Sequence, residues 1–401
     1  MTSVRRGLAA FLVCALVGAA AAASAAARDP GRWVDTGVSR FPASYNQGIA
    51  VDPAGGFVFD GTLLSFNGLF KTDSRLKQTA GASPEIPADV TSRDGYNHIG
   101  DLSWDPGEGG RLLLPLECFT PGGPNGGNTC GTGAFGAADP ATLQWRYYVK
   151  LDPADIPKAM WVDSSPDGKL LWTSAGNDLL AYNAADITPA NAAPAGPLIK
   201  PTIRLAGAAP PNGITGATFY NGRLFLASNV GNHQLQIWSV DTATGNRQLE
   251  LERDYRGEPE GLATFTGLGG VLHAMVLPAF GVKNPTFGSS QGALVNFAPA
   301  GTIRLRLKVS PSHVRAGVRT RFTFRTTFAQ LGGKGAVKGA TITFKGRKAL
   351  TNDQGKTTMR LSLSKPGRYT ARARRSGFRS AHAPARATSL PRRVPVFVGR
   401  R

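Results

Sequence analysis

Cysteine, histidine, acidic residues and long apolar runs are all scarce in this chain of 401 residues, and each scarcity narrows what it can be. Three cysteines are too few for a scaffold held together by many disulfides. There are five histidines and no His-Glu-x-x-His, Gly-x-Ser-x-Gly or Walker sequence, so the common signatures of zinc, serine and phosphate chemistry are missing. Beyond residue 30 no run approaches the roughly 18 apolar residues that a membrane helix needs. Acids number 26 against 46 Lys and Arg, and their shortage is concentrated in one part of the chain. Residues 301–401 hold 25 Lys and Arg against one acid, Asp353, a net +24. Residues 1–300 hold 21 basic and 25 acidic residues, a net −4. The basicity therefore belongs to one domain.

The chain opens Met1-Thr2-Ser3-Val4-Arg5-Arg6, runs apolar over 8–17 and then turns alanine-rich, with Ala23-Ser24-Ala25 and Ala25-Ala26-Ala27 as small-residue sites. That order predicts a secretory signal peptide over 1–27 and an exported mature protein. Cys14 falls inside the leader, and Val13 before it is unlike the small residue that usually precedes a lipidated cysteine. Cys118 and Cys130 remain, bracketing a glycine-rich loop. In an oxidising compartment they are expected to pair, a constraint worth roughly 2–3 kcal/mol.

What the chain has in abundance is glycine (50) and proline (28), which favour short strands and turns. Residues 97–117 set the pattern: a short strand rich in Asn, His and Asp, a Pro/Gly turn, then a strand mostly of leucine ending in Glu117. Similar pairs recur at 48–52 with 56–60, 159–163 with 169–173, 214–220 with 223–228, and 261–265 with 271–276. The fourth turns on Asn221-Gly222, a dipeptide suited to two positive φ angles. Equivalent points at Ile49, Ile99, Trp161, Ile214 and Leu262 lie 50, 62, 53 and 48 residues apart. A period near 50 with several strands per repeat predicts a β-propeller over 30–299, of five or six blades. Third strands are expected at 144–151, 179–183, 234–241 and 293–298. The orphan strand at Trp33 is expected to complete the last blade and remove an open edge.

These units, and the phrase Glu258-Pro259-Glu260-Gly261-Leu262-Ala263, resemble the secreted NHL-type and gluconolactonase-like propellers. Residues 302–390 change grammar. Thr351-Asn352-Asp353-Gln354-Gly355 and Pro366-Gly367-Arg368-Tyr369-Thr370-Ala371 resemble a bacterial immunoglobulin-like domain, which implies a β-sandwich with no cysteine to staple it. Residues 391–401 form a short basic tail. The fold class expected is all-β, a propeller followed by an immunoglobulin-like sandwich.

Two functions follow. Propellers bring the starts of their inner strands together around a channel, and oxygen ligands from several blades suit Ca²⁺. The gluconolactonase-like resemblance implies a metal near Glu117, Asn97, Asn212 and Glu260, with His98 or Asp101 as base, in a hydrolase of a lactone, ester or phosphoester. The same groups could instead hydrogen-bond neighbouring backbone turns. The other function is recognition. In strands such as 304–308 and 371–374 cations alternate with apolar residues, so basic rows face outward, and Arg372, Arg374 and the adjacent Arg375 are the residues expected to bind a polyanion. Such a domain would hold the propeller on an anionic cell-surface polymer, for instance teichoic acid, acidic polysaccharide or extracellular DNA.

Overall fold

Asn221 and Gly222 take φ values of +48° and +73° and join Ile214–Tyr220 to Arg223–Val230 as an antiparallel hairpin, as the dipeptide predicts. The computed structural model describes residues 33–42, 44–61, 67–120, 127–231, 234–255, 257–277, 291–330 and 333–389. The expected leader and the basic tail lie outside the described residues.

Among the described residues, antiparallel hairpins build five blade sheets, four of four strands and one, blade 2, of five. Blade 1 is Gly48–Asp52, Gly56–Asp60, Leu69–Asp73 and Gln78–Ala82. Blade 2 has a divided inner strand, His98–Ile99 and Ser103–Asp105, followed by Arg111–Glu117, Ala134–Ala138 and Trp145–Lys150. Blade 3 is Asp163–Ser164, Leu170–Ala175, Asp178–Asn183 and Ile203–Leu205. Blade 4 adds Gln234–Val240 and Arg247–Asp254 outside the hairpin already named. Blade 5 is Glu258–Gly267, Gly270–Leu277 and Gly292–Pro299, closed on its outside by Trp33–Phe41. The first described strand thus completes the last sheet, and the described residues form five blades.

Some strand positions differ from the sequence expectation. The third strand of blade 2 is Ala134–Ala138, and the expected 144–151 is the fourth. Ala-Phe-Gly-Ala-Ala is buried throughout, so it shows no alternation to mark it. The segment Gln234–Val240, expected as a third strand, is one, with Arg247–Asp254 outside it. A short helix, Ala88–Asp94, bridges blades 1 and 2 and ends on Gly95 at φ +84°.

Apolar side chains fill the gaps between blades. Trp33 packs edge-on against Phe225 of blade 4, ring centroids 5.8 Å apart, and donates its indole N–H to Glu250 Oε2 at 3.0 Å. The closing strand is therefore held by a neighbouring blade as well as by its own sheet.

From Leu305 the chain forms a sandwich. One sheet orders Leu305–Ser310, Arg319–Gln330 and Gly333–Ala336, with Lys356–Ser362 on the other side of Arg319–Gln330. The second contains His313–Arg315, Ala381–Thr388, Gly367–Arg374, Thr341–Phe344 and Arg347–Leu350. Phe322, Phe324 and Phe344 form the centre of its core, each at most 1% exposed. Burying such side chains contributes roughly 1.5–3 kcal/mol apiece, which substitutes for the missing disulfide. The joint with blade 5 is tight: Phe328 covers Gly269, where a Cβ would meet its ring at 2.0 Å.

Cys118 and Cys130 form a disulfide, with Cα atoms 5.4 Å apart. Replacing both by Ser should lower the unfolding free energy by roughly 2–3 kcal/mol, measured by urea titration of the oxidised protein and the variant. Coincident titrations would remove the bond from the stabilising interactions.

Candidate functional site: the two mouths of the ring

The centre of the ring is filled by one carboxylate. Asp101 sits in the break of blade 2's inner strand and is 1% exposed. Its Oδ1 accepts the N–H of Ile49 from blade 1 at 3.0 Å. Its Oδ2 accepts those of Ala217 from blade 4 at 2.9 Å and Leu262 from blade 5 at 3.3 Å. Its own backbone pairs with the blade 3 segment, donating to Met160 O and accepting from Val162 N. From within blade 2, one residue therefore bonds the inner strands of blades 1, 4 and 5 and the segment that leads into the inner strand of blade 3. The approach requires glycine: a Cβ on Gly48 would lie 2.9 Å from Asp101 Oδ1, and one on Gly261 only 2.5 Å from it. Burial holds this carboxyl well above the usual carboxylate range, opposed by the three backbone N–H donors and reinforced by Asp163. Asp101 was expected as a base; its surroundings give it the part of a rivet.

Above this rivet lies the mouth where the inner strands begin. His98 Nδ1 lies 2.8 Å from Glu117 Oε1, and Nε2 lies 2.8 Å from Gln47 Oε1. Phe119 packs edge-on against the imidazole at 5.3 Å. Lys158 Nζ stands 4.0 Å from Glu117 Oε2. Burial raises the Glu117 carboxyl, but the His98 hydrogen bond, the His98 charge and Lys158 outweigh it and leave it below its ordinary value. The structure thus brings His98 and Glu117 together.

Glu258 and Glu260 complete the acidic side of this mouth. Burial, then Glu258, Asp101, Asp60 and Glu117 in turn, push Glu260 well above the carboxylate range. Burial also raises Glu258. Asp60, at the end of blade 1's second strand, was missed by the sequence reading. It is fully buried, and neither carboxylate oxygen has a hydrogen-bond partner in proper geometry among the described residues. Burial and then Asp101 push it well above the carboxylate range, while the N–H groups of Asp60 and Gly48 oppose the shift. The only sequence sign of it was the Phe-Asp-Gly at the end of an apolar strand.

Of the expected metal ligands, the two asparagines are engaged with other protein groups. Asn97 uses both ends of its amide on Phe119, donating to its carbonyl at 2.9 Å and accepting its N–H at 2.7 Å. Asn212 donates to Gln236 Oε1 at 3.4 Å. Glu117 faces His98, and Glu260 stands with the other acids. Among the described residues no three His, Cys, Asp or Glu side chains are grouped to hold a metal ion.

The opposite mouth is different in character. A cavity of about 330 Å³ is lined by Ile49, Val51, Leu102, Trp104, Leu262 and Asp163, among others. Asp163 Oδ2 accepts the Phe219 N–H at 2.9 Å. Protein surrounds this carboxyl and pushes it up to about 8, even though it remains part-exposed to the cavity. This end offers an apolar wall with one acid that is readily protonated.

No protein-family model matches the chain, and no curated protein matches it. Among solved structures it is similar to the glutaminyl cyclase of Myxococcus xanthus, at 12% identity over 66% of this chain and 96% of that one, TM-score 0.40. A luciferin-regenerating enzyme is similar at 16% identity over 66% of this chain and 81% of that one, TM-score 0.38. The Dos1 propeller is similar at 10% identity over 62% and 67%, TM-score 0.30. None of the three informs the chemistry of this chain.

Two measurements test the site's electrostatics. Asp101→Asn would turn an amide N–H toward a backbone N–H donor and should destabilise the protein by roughly 2–4 kcal/mol in urea titration; a smaller loss than 1 kcal/mol would deny it the central part. Acids with raised pKa bind more protons folded than unfolded, so stability should rise as pH falls from about 8, by up to about 1.4 kcal/mol per unit for each group. Asp163→Asn should flatten that rise. Below pH 6.5 buried His273, pushed down to about 4, acts in the opposite sense, because the unfolded chain then takes the proton first. A melting temperature independent of pH between 8 and 6.5 would refute the assignment.

Proposed function

We propose that the chain is an exported recognition protein whose propeller presents the His98–Glu117 mouth as a binding face and whose sandwich retains it on an anionic polymer outside the cell. The observation that carries this reading is the segregation of charge, +24 in residues 301–401 beside −4 in the rest. Asp353, the single acid of the basic region, pairs with Lys338 at 2.8 Å, and both are exposed. Among the described residues the other sandwich cations have no carboxylate partner. Arg374 is exposed and Arg372 part-exposed on one face of Gly367–Arg374, while Arg375 reaches the carbonyl of Gly339. The disulfide fits an oxidising compartment.

A second reading, a Ca²⁺-dependent hydrolase of a lactone, ester or phosphoester, keeps one supporting observation. Asp60 is a buried carboxyl with no hydrogen-bond partner in proper geometry among the described residues, and Glu260 near it is likewise pushed up by burial and the neighbouring acids; a divalent cation would relieve both. Ca²⁺ at about a hundredfold excess over its dissociation constant should then stabilise the fold by roughly 2.7 kcal/mol, and Asp60→Asn should abolish the gain. A melting curve indifferent to Ca²⁺ and chelator removes this reading.

The recognition reading is tested with the whole exported protein. It should co-sediment with anionic wall polymer at low salt and release steeply as the Debye length shrinks from about 10 Å at 0.1 M to about 3 Å at 1 M. Charge reversal at Arg372, Arg374 and Arg375 to Glu should weaken binding and lower the salt dependence. Binding that ignores salt would sink it.

A further inference from the structure

The sandwich places cations side by side at a cost in stability. Arg321 and Arg360 stand directly opposite each other in antiparallel register. Arg325 has Lys308 opposite it on one side and Lys356 on the other. All five side chains are exposed on one sheet face. Like charges directly opposite each other are destabilising. No acid among the described residues neutralises them, because Asp353 is engaged with Lys338.

This row runs into a cleft of about 340 Å³ lined by Arg319, Lys345, Arg347, Arg360, Leu361 and Ser362. Arg319 is in register with Ser362, so the cleft begins at the end of the Arg319–Gln330 strand. The other wall is the hairpin turn of the second sheet. Lys345 and Gly346, at φ +50° and +74°, form that turn and bring Lys345 and Arg347 to the same opening. Four cations from both sheets thus converge on one concavity.

We propose that this cleft and the row leading from it bind a linear phosphodiester polymer, with one phosphate seated among Arg319, Arg347 and Arg360. The proposal rests on the retention reading above and names the chemistry of its polymer. Three of the four cations are guanidinium forks, which match oxyanions in pairs of hydrogen bonds. The two free oxygens of a phosphodiester accept hydrogen bonds from directions spread around the tetrahedral phosphorus, so forks on more than one side can reach them, whereas the lone pairs of a carboxylate lie in one plane. The row continues along the same strand face to Arg321, about 6.8 Å on, and past Thr323 to Arg325, about 13.6 Å further, so it suits an extended ligand carrying several charges rather than an isolated anion. Serine 362 adds a hydroxyl donor at the same opening.

The test measures binding of the whole exported protein to a labelled oligothymidylate, a uniform phosphodiester, with polygalacturonate as the carboxylate comparison. For single strands log affinity falls by about 0.7 per phosphate contact for each unit of log salt. R319Q with R360Q should lower that slope by about 1.4 and weaken binding by about tenfold at about 0.1 M salt. R372Q with R374Q, the same loss of charge on the other sheet, should lower the slope by less than half as much. R319K with R360K keeps charge without the forks; it should restore the slope but not the affinity, and it carries the comparison if the Gln pair fails to fold. Equal losses from the two Gln pairs would overturn the cleft and leave general retention standing. Tighter binding of polygalacturonate than of oligothymidylate would overturn the phosphodiester assignment alone. Absence of binding to either polymer at low salt would overturn both this inference and the retention reading.

Discussion

In this ring three inner strands turn backbone N–H groups toward one buried point, and one carboxylate accepts all of them. The inner-strand N–H groups of blades 1, 4 and 5 that converge on Asp101 would otherwise be buried donors without acceptors, each a penalty of roughly 1–3 kcal/mol. The glycines at 48 and 261 exist for the same approach, since any side chain there would strike the carboxylate. The acidic mouth above inherits its character from this rivet. Asp60 and Glu260 are pushed upward partly because Asp101 is already there.

Much of the fold was legible because its hairpins carry local chemistry. Asn221-Gly222 fixed one blade's turn, and the recurring apolar pairs marked the other inner strands. Ala134–Ala138 escaped because small residues buried on both faces leave no alternation. The site was less legible for a related reason. Asn, His, Asp and Glu at strand starts look alike in sequence whether they face a ligand or a neighbouring turn. Asn97 holds the Phe119 backbone, Asp101 holds the ring, and His98 holds Glu117. Asp60 closes a strand that reads as ordinary core, so only its position in space distinguishes it.

The two domains solve opposite electrostatic problems. The propeller concentrates carboxyls in a buried mouth, where protons or a cation must offset them. The sandwich spreads guanidinium and ammonium groups over exposed strands, where water moderates their repulsion. Alternation in the sandwich keeps Phe322 and Phe324 inward while Arg321 and Arg325 face out from the same strand.

The closing strand has a consequence for assembly. Trp33–Phe41 pairs with Gly292–Pro299, so the ring is sutured by partners from opposite ends of the propeller sequence. Until residue 299 is available the first strand has nowhere native to go, and blade 5 in turn offers an open edge. The suture that completes the ring is therefore a highly non-local pairing, whose loop-closure entropy must be offset before the contact rewards it.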